Sequence, residues 1–153
     1  MEAPDRREGG FTLVELVVVV LIVVILVAIS IPLYRGFRDR AVETEAKAEL
    51  RETLVPVKAY LLDGDGNAAT VEEGAKGFSP TLIFDPAATD AVMIQEAVDG
   101  SVCLWRDPGT GNVYALWQSS IGDTTLYVTT TEVAATCPLE GAAAGAGFSD
   151  EPW

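Results

Sequence analysis

Residues 8–34 read EGGFTLVELVVVVLIVVILVAISIPLY. After Gly9 and Gly10 the chain turns apolar and stays so to Tyr34, with one carboxylate, Glu15, near the head of the run. Leu16 to Tyr34 is 19 residues without a charge, interrupted only by Ser30 and Pro32. At 1.5 Å rise per residue, about 20 such residues span a bilayer. A charge in hydrocarbon costs about 2.5–3.5 kcal/mol even on lenient insertion scales, so Glu15 needs a reason to be there.

Two general readings of the run compete. Ala28-Ile29-Ser30 loosely fits a small-x-small cleavage pattern and Arg6-Arg7 supply a positive start, as in a secretory signal. Against that, the apolar stretch continues through Ile31 and Leu33, and Glu15 intrudes before it begins. A plain signal anchor explains the length and leaves Glu15 unexplained. Neither predicts the Gly-Phe junction.

The string GGFTLVEL, the unbroken apolar helix after it, AISIPLY and a charged continuation together resemble the N-terminus of type IV pilins and the related pseudopilins of type II secretion. In that family a short polar leader is cut after a Gly by a dedicated membrane peptidase. The new N-terminal residue is methylated, and a Glu follows one helical turn beyond it. Carried over, the resemblance implies a cut between Gly10 and Phe11, methylation of Phe11, and an assembly role for Glu15. Pro32 matches a proline common late in the family's membrane segment. The implied protein is a structural subunit; no enzyme activity and no cofactor are expected of it, no metal ligands are assigned, and some pseudopilins bind calcium in their heads. Its implied partners are itself, a prepilin peptidase and methylase, the membrane, and an assembly machine with a cytoplasmic ATPase. Alternatives within the same resemblance are a pseudopilin of a secretion or competence system and a minor tip pilin that binds a target.

The resemblance also implies a location: a single-pass precursor in the cytoplasmic membrane with its head outside, and later an extracellular or envelope filament. One feature opposes this. Arg35, Arg38 and Arg40 follow the span, whereas only Arg6 and Arg7 precede it, the reverse of the positive-inside preference.

Composition narrows the rest. The formal charge is −13, and seven of the ten basic residues lie between Arg6 and Arg51. The remainder is an acidic body, which repels phosphate backbones, so no direct nucleic-acid binding is expected of it. The chain has no His, which removes the usual general base and metal ligand together. Its two cysteines, Cys103 and Cys137, lie beyond a membrane-type segment and form an even pair, so a disulfide in an oxidising compartment is expected. Two buried free thiols are the alternative.

An α+β fold follows, a long N-terminal helix packed on a small antiparallel sheet, as in pilins. The expected organisation is a leader over 1–10, a transmembrane and assembly helix over 11–38, its amphipathic continuation over 39–62, a head over 63–138 and a flexible tail over 139–153. Val42, Ala46, Leu50, Leu54, Val57 and Leu61 recur at spacings of three and four, placing one apolar face on the continuation. Pro32 and Pro56 are expected to bend the helix, because each removes a backbone hydrogen bond; a separate helix starting near Pro56 is the alternative.

Asp63, Asp65 and Asn67 in DGDGN reproduce the first ligand positions of a calcium loop. The expected glycine is Ala68 and the closing acid is Gly74, so a solvated turn is the reading here. Residues 63–90 read as a long connection. SVCLWR, NVYALWQ and TLYVTTT are rich in β-branched and aromatic residues and are separated by the turn-formers DPGTG and SSIGD. They predict an antiparallel meander of at least three strands, with Cys103 and Trp105 on one face and Val102 and Leu104 on the other. Trp105, Trp117 and Tyr127 are read as core. The tail, EGAAAGAGFSDEPW, is low in complexity.

Overall fold

The computed structural model describes residues 11–63, 70–81, 83–84, 91–121 and 123–153. Its first element, α1, is a single helix over Leu13–Asp63. Residues through Asp39 form one unit, and Arg40–Trp153 form the second.

From Leu16 to Tyr34, in the first unit, α1 is apolar on every side and exposed on every side. Val and Ile lose rotamer freedom in a helix, so their helicity here reflects the backbone: away from water, a helix satisfies its own N–H and C=O groups within one segment. Thr12 caps the start. Its Oγ1 accepts from the Glu15 N–H at 3.2 Å and its carbonyl accepts from Leu16. Ser30 turns its hydroxyl back onto Leu26 O at 2.7 Å, which hides the polar group in an apolar run. α1 runs through Pro32 and Pro56. Each proline leaves the carbonyl four residues earlier, Ala28 and Glu52, without its helical donor.

In the second unit the remainder of α1 buries Ala46, Leu50, Thr53 and Val57. A second helix, α2 (Val71–Phe78), follows. It corrects the expectation of a plain connection over 63–90. Thr70 is its N-cap, accepting from Glu73 N–H, Glu72 pairs with Lys76 one turn on at 2.7 Å, and Ser79 N–H closes the end on Ala75 O.

The sheet has four strands in the order β1 (Met93–Glu96), β2 (Val102–Arg106), β3 (Val113–Gln118) and β4 (Thr125–Thr130), all antiparallel neighbours. The three predicted strands are present within a residue at each end, and β1 is added at the edge. It pairs with β2 from Met93↔Trp105 to Glu96↔Val102, through a turn in which Gly100 takes φ +82°, a conformation that favours glycine.

Both faces of the sheet are covered. On the first, Val102, Leu104, Tyr114 and Leu116 pack with Ala46, Leu50 and Val57 of α1 and Val71 and Ala75 of α2. On the second, Cys103, Trp105, Ala115 and Trp117 pack with Cys137, Ala143 and Phe148. The expected flexible tail over 139–153 therefore gives way to a docked segment. Ser149 exchanges both backbone hydrogen bonds with Tyr127 on the free edge of β4. Trp153 donates to Val128 O, stacks edge-on with Tyr114 and Tyr127, and its carbonyl accepts from Arg51. Small residues dominate the tail's composition, but Phe148 and Trp153 are the anchors. Burying one aromatic ring contributes a few kcal/mol.

Candidate site for processing and assembly

The N-terminal chemistry is sparse. Phe11 and Glu15 lie one turn apart, both exposed, at the head of a helix surface with no other charge before Arg35. Gly10 and the rest of the leader lie outside the described residues. Thr12-x-x-Glu15 has the spacing of a capping box, of which the Thr12 half is formed; sequence reading singled out the acid and missed Thr12, although the Thr-x-x-Glu spacing was legible. With Thr12 as N-cap, Glu15 also lies in the first turn, where a carboxylate interacts favourably with the unpaired N–H groups of the helix start. The helix end thus places Glu15 where a negative charge suits the first turn.

The head is held together by tethers that the sequence did not announce. Glu43 accepts from Thr110 Oγ1 and Asn112 Nδ2, both at 3.0 Å, and ties the β2–β3 turn to α1. These bonds, that from Asn112 first, hold the Glu43 carboxyl below its ordinary pKa. Burial raises the Tyr114 hydroxyl, with the adjacent Glu43 adding to it. Glu49 pairs with Arg106, a guanidinium sunk in the core. Cys103 and Cys137 are joined as a disulfide with Cα atoms 5.5 Å apart, so the expected pairing of the two cysteines is present and the free-thiol alternative is not. The bridge draws the segment before Pro138 over the second face. There Trp117 Nε1 donates to Pro138 O at 2.9 Å, and Gln95 Nε2 donates to Ala134 O at 3.1 Å. Trp105 and Trp117 are core residues, each 2% exposed.

Asp63 ends α1, whereas Asp65 and Asn67 lie outside the described residues. Among the described residues no three His, Cys, Asp or Glu side chains converge as a metal site would require.

The family model for the prokaryotic N-terminal methylation motif matches residues 5–31. A fimbrial protein of Pseudomonas aeruginosa is 30% identical over 103 residues, covering 65% of this chain and 67% of that protein. The type IV major pilin PilA of Myxococcus xanthus is 38% identical over 74 residues, covering 48% of this chain and 33% of its own. The chain belongs to the type IV pilin family. This pilin is also 28% identical over 137 residues to the type IV wide pilus major component PilA4 of Thermus thermophilus, a match that covers 87% of it and 96% of the relative. No solved structure matches. The first part of α1 is the only helix among the described residues of this pilin long and apolar enough to cross a membrane.

Proposed function

We infer that this pilin is made as a single-pass precursor in the cytoplasmic membrane, is cut between Gly10 and Phe11, and polymerises through the first part of α1 into a type IV pilus filament. The observation that carries the reading is a helix apolar and exposed on all sides with one acid at its head. Such a surface is stable in a lipid bilayer or in a bundle of like helices, and a filament subunit needs both in turn. The relatives named as major pilus components favour a shaft subunit over a pseudopilin or a tip binder. The reading assigns no catalysis, and its further partners are the prepilin peptidase and methylase and the assembly machine with its cytoplasmic ATPase. It places the head outside, where the disulfide forms, and treats Pro32 and Pro56 as bends that fit the helix to its neighbours.

Cleavage supplies the reason for Glu15. While the leader is attached, the Phe11 nitrogen is an uncharged amide; cutting makes it an amine with an ordinary pKa near 8 and so a cation. Glu15 then has a counter-charge one turn away in its own chain, or in a neighbouring copy of a parallel bundle. An apolar setting penalises an unpaired charge by several kcal/mol, so pairing between copies would fix the axial stagger. The mature chain is expected to begin at Phe11 by mass spectrometry. Glu15→Leu is expected to insert and be trimmed at Gly10 as the parent is, yet to stay out of sheared filaments. Normal filaments from the Leu variant would leave Glu15 with only its place in the first turn, and cleavage after Ser30 would overturn the processing scheme.

A further inference from the structure

The two ends of the sheet differ. At one end the β2–β3 turn meets Glu43, near the start of the head portion of α1. At the other lie residues 96–101, 119–121, 123–124 and 136–141, which include Glu96, Asp99, Asp123 and Glu140 and no Lys or Arg. These loops are stitched together: Glu140 N–H donates to Asp99 Oδ2 at 2.6 Å, Ser120 Oγ to Glu140 Oε2 at 3.3 Å, and Ser101 Oγ to Pro138 O at 3.3 Å. Three apolar side chains point out of this frame. Val98 is 98% exposed, and Ile121 and Leu139 are also exposed. Val98 and Leu139 border a groove of about 500 Å³ with Gln95 and Glu96. Every charge on this rim is negative; Glu96 Oε2 also accepts from the Val71 N–H of α2 at 3.4 Å, and among the described residues Gln95 Oε1 is a buried acceptor without a partner.

The chain holds a segment of the opposite character. Tyr34, Arg35, Phe37 and Arg38 are exposed on α1. At about 100° per residue, Phe37, Tyr34, Arg38 and Arg35 fall in that order within about 160° of one helix face, two aromatic rings beside two guanidiniums. Neither Arg35 nor Arg38 has an ion pair or side-chain hydrogen bond among the described residues. The basic groups of the head are mostly engaged: Lys47 lies over Tyr114, Arg51 over Trp153, Lys76 pairs with Glu72 and Arg106 with Glu49. From Ala41 onward there are 18 acidic and five basic residues, a net of −13. Heads of that charge repel one another, so contact between copies calls for cations from outside the heads.

We propose that the Val98–Leu139 rim of one copy takes the Tyr34–Arg38 face of a second copy, the aromatics on the apolar side chains and the two arginines on Glu96 and Glu140. The contact is heterologous, joining two different patches, and so propagates along an open assembly. The proposal rests on the filament reading. It also gives Arg35 and Arg38 a function that does not conflict with their position after the membrane span.

The test is a charge swap in the full chain, expressed in a cell that carries a type IV pilus assembly machine. Arg35→Glu with Arg38→Glu, and separately Glu96→Lys with Glu140→Lys, should each lower the yield of sheared filaments by about tenfold or more. Precursor level, trimming and disulfide formation should stay at the parental level. Combining all four substitutions should restore the yield to within about twofold, as a pairwise coupling requires. Asp99 is left in place because it holds Ser101 and the Glu140 N–H. Parental yield from either double variant overturns the contact, as does a fourfold variant no better than the doubles. Loss of the arginine variant from the membrane, with normal filaments from the Glu96 and Glu140 variant, assigns the arginines to anionic lipid headgroups and overturns it too. A parent without filaments overturns the filament reading and this contact with it. Parental filaments matched by both double variants overturn the contact alone.

Discussion

At Gly74 the packing of α2 leaves no space for a methyl group. A Cβ built there would overlap the ring of Tyr60 on α1, and that ring lies against the core. Alanine is the better helix former by about 0.5–1 kcal/mol, but overpacking costs about 1–3 kcal/mol, so the clash decides the sign. Gly74→Ala should therefore lower the thermal midpoint. Gly77, three residues on, has open space around its Cβ direction and ordinary helical backbone, so Gly77→Ala should raise it by the propensity difference alone. Opposite signs at two glycines of one short helix would identify the Gly74–Tyr60 contact as the cause. Equal shifts in the two variants, measured by thermal denaturation, would remove it.

At the scale of elements, Glu43 links α1 to the β2–β3 turn and makes that link sensitive to acid. Its carboxyl is held below the ordinary value in the folded chain, through Asn112 first and then Thr110, with Tyr114 and Lys47 also facing it. The contact thus stabilises the fold above the ordinary glutamate value, near 4.3, and is lost as pH falls through the lowered folded value. In an acid titration followed by nuclear magnetic resonance, the Thr110 and Asn112 signals should move below about pH 4.3, and Glu43→Gln should flatten that movement. Persistence of the same transition in the Gln variant would assign it to another acid. Elements also show where the sequence was legible. β2, β3 and β4 were plain because β-branched and aromatic residues concentrate in them between turn-formers. α2 was hidden by its length of eight residues, though Thr70-x-x-Glu73 repeats the capping pattern seen at Thr12. β1 carries Gln95 and Glu96 in four residues, too polar to read alone, yet Asp99-Gly100 before the Val102 strand was a hairpin signal. The tail misled because composition counts residues, whereas docking depends on two of them, Phe148 and Trp153. At the N-terminus the motif made Glu15 conspicuous; the loops of the acidic rim meet only after folding, so no local pattern could reveal them.

At the scale of the whole molecule, the sheet of the head is covered by a helix layer on one face and on the other by chain that follows β4. The first cover is made of continuous elements with a large apolar face. The second is thin: a loop held by the Cys103–Cys137 bridge, and a tail held by Phe148 packing, the Ser149 pairing and Trp153. A bridge across a separation of 34 residues contributes about 3–4 kcal/mol by limiting the unfolded chain, a large share of the stability of a small head. Cys137→Ser should remove that contribution and expose the second face first, because Trp117 loses the Pro138 carbonyl once the loop is free to leave. Limited proteolysis should then cut between residues 131 and 147, with faster hydrogen exchange in β1, whose Gln95 is tied to Ala134 of the same loop. The apolar part of α1 makes no use of the bridge, so membrane insertion should match the parent. A Cys137→Ser head as resistant to protease as the parent would show that the tail alone holds the second face. Cleavage appearing first within α2 would show instead that the helix layer is the weaker cover.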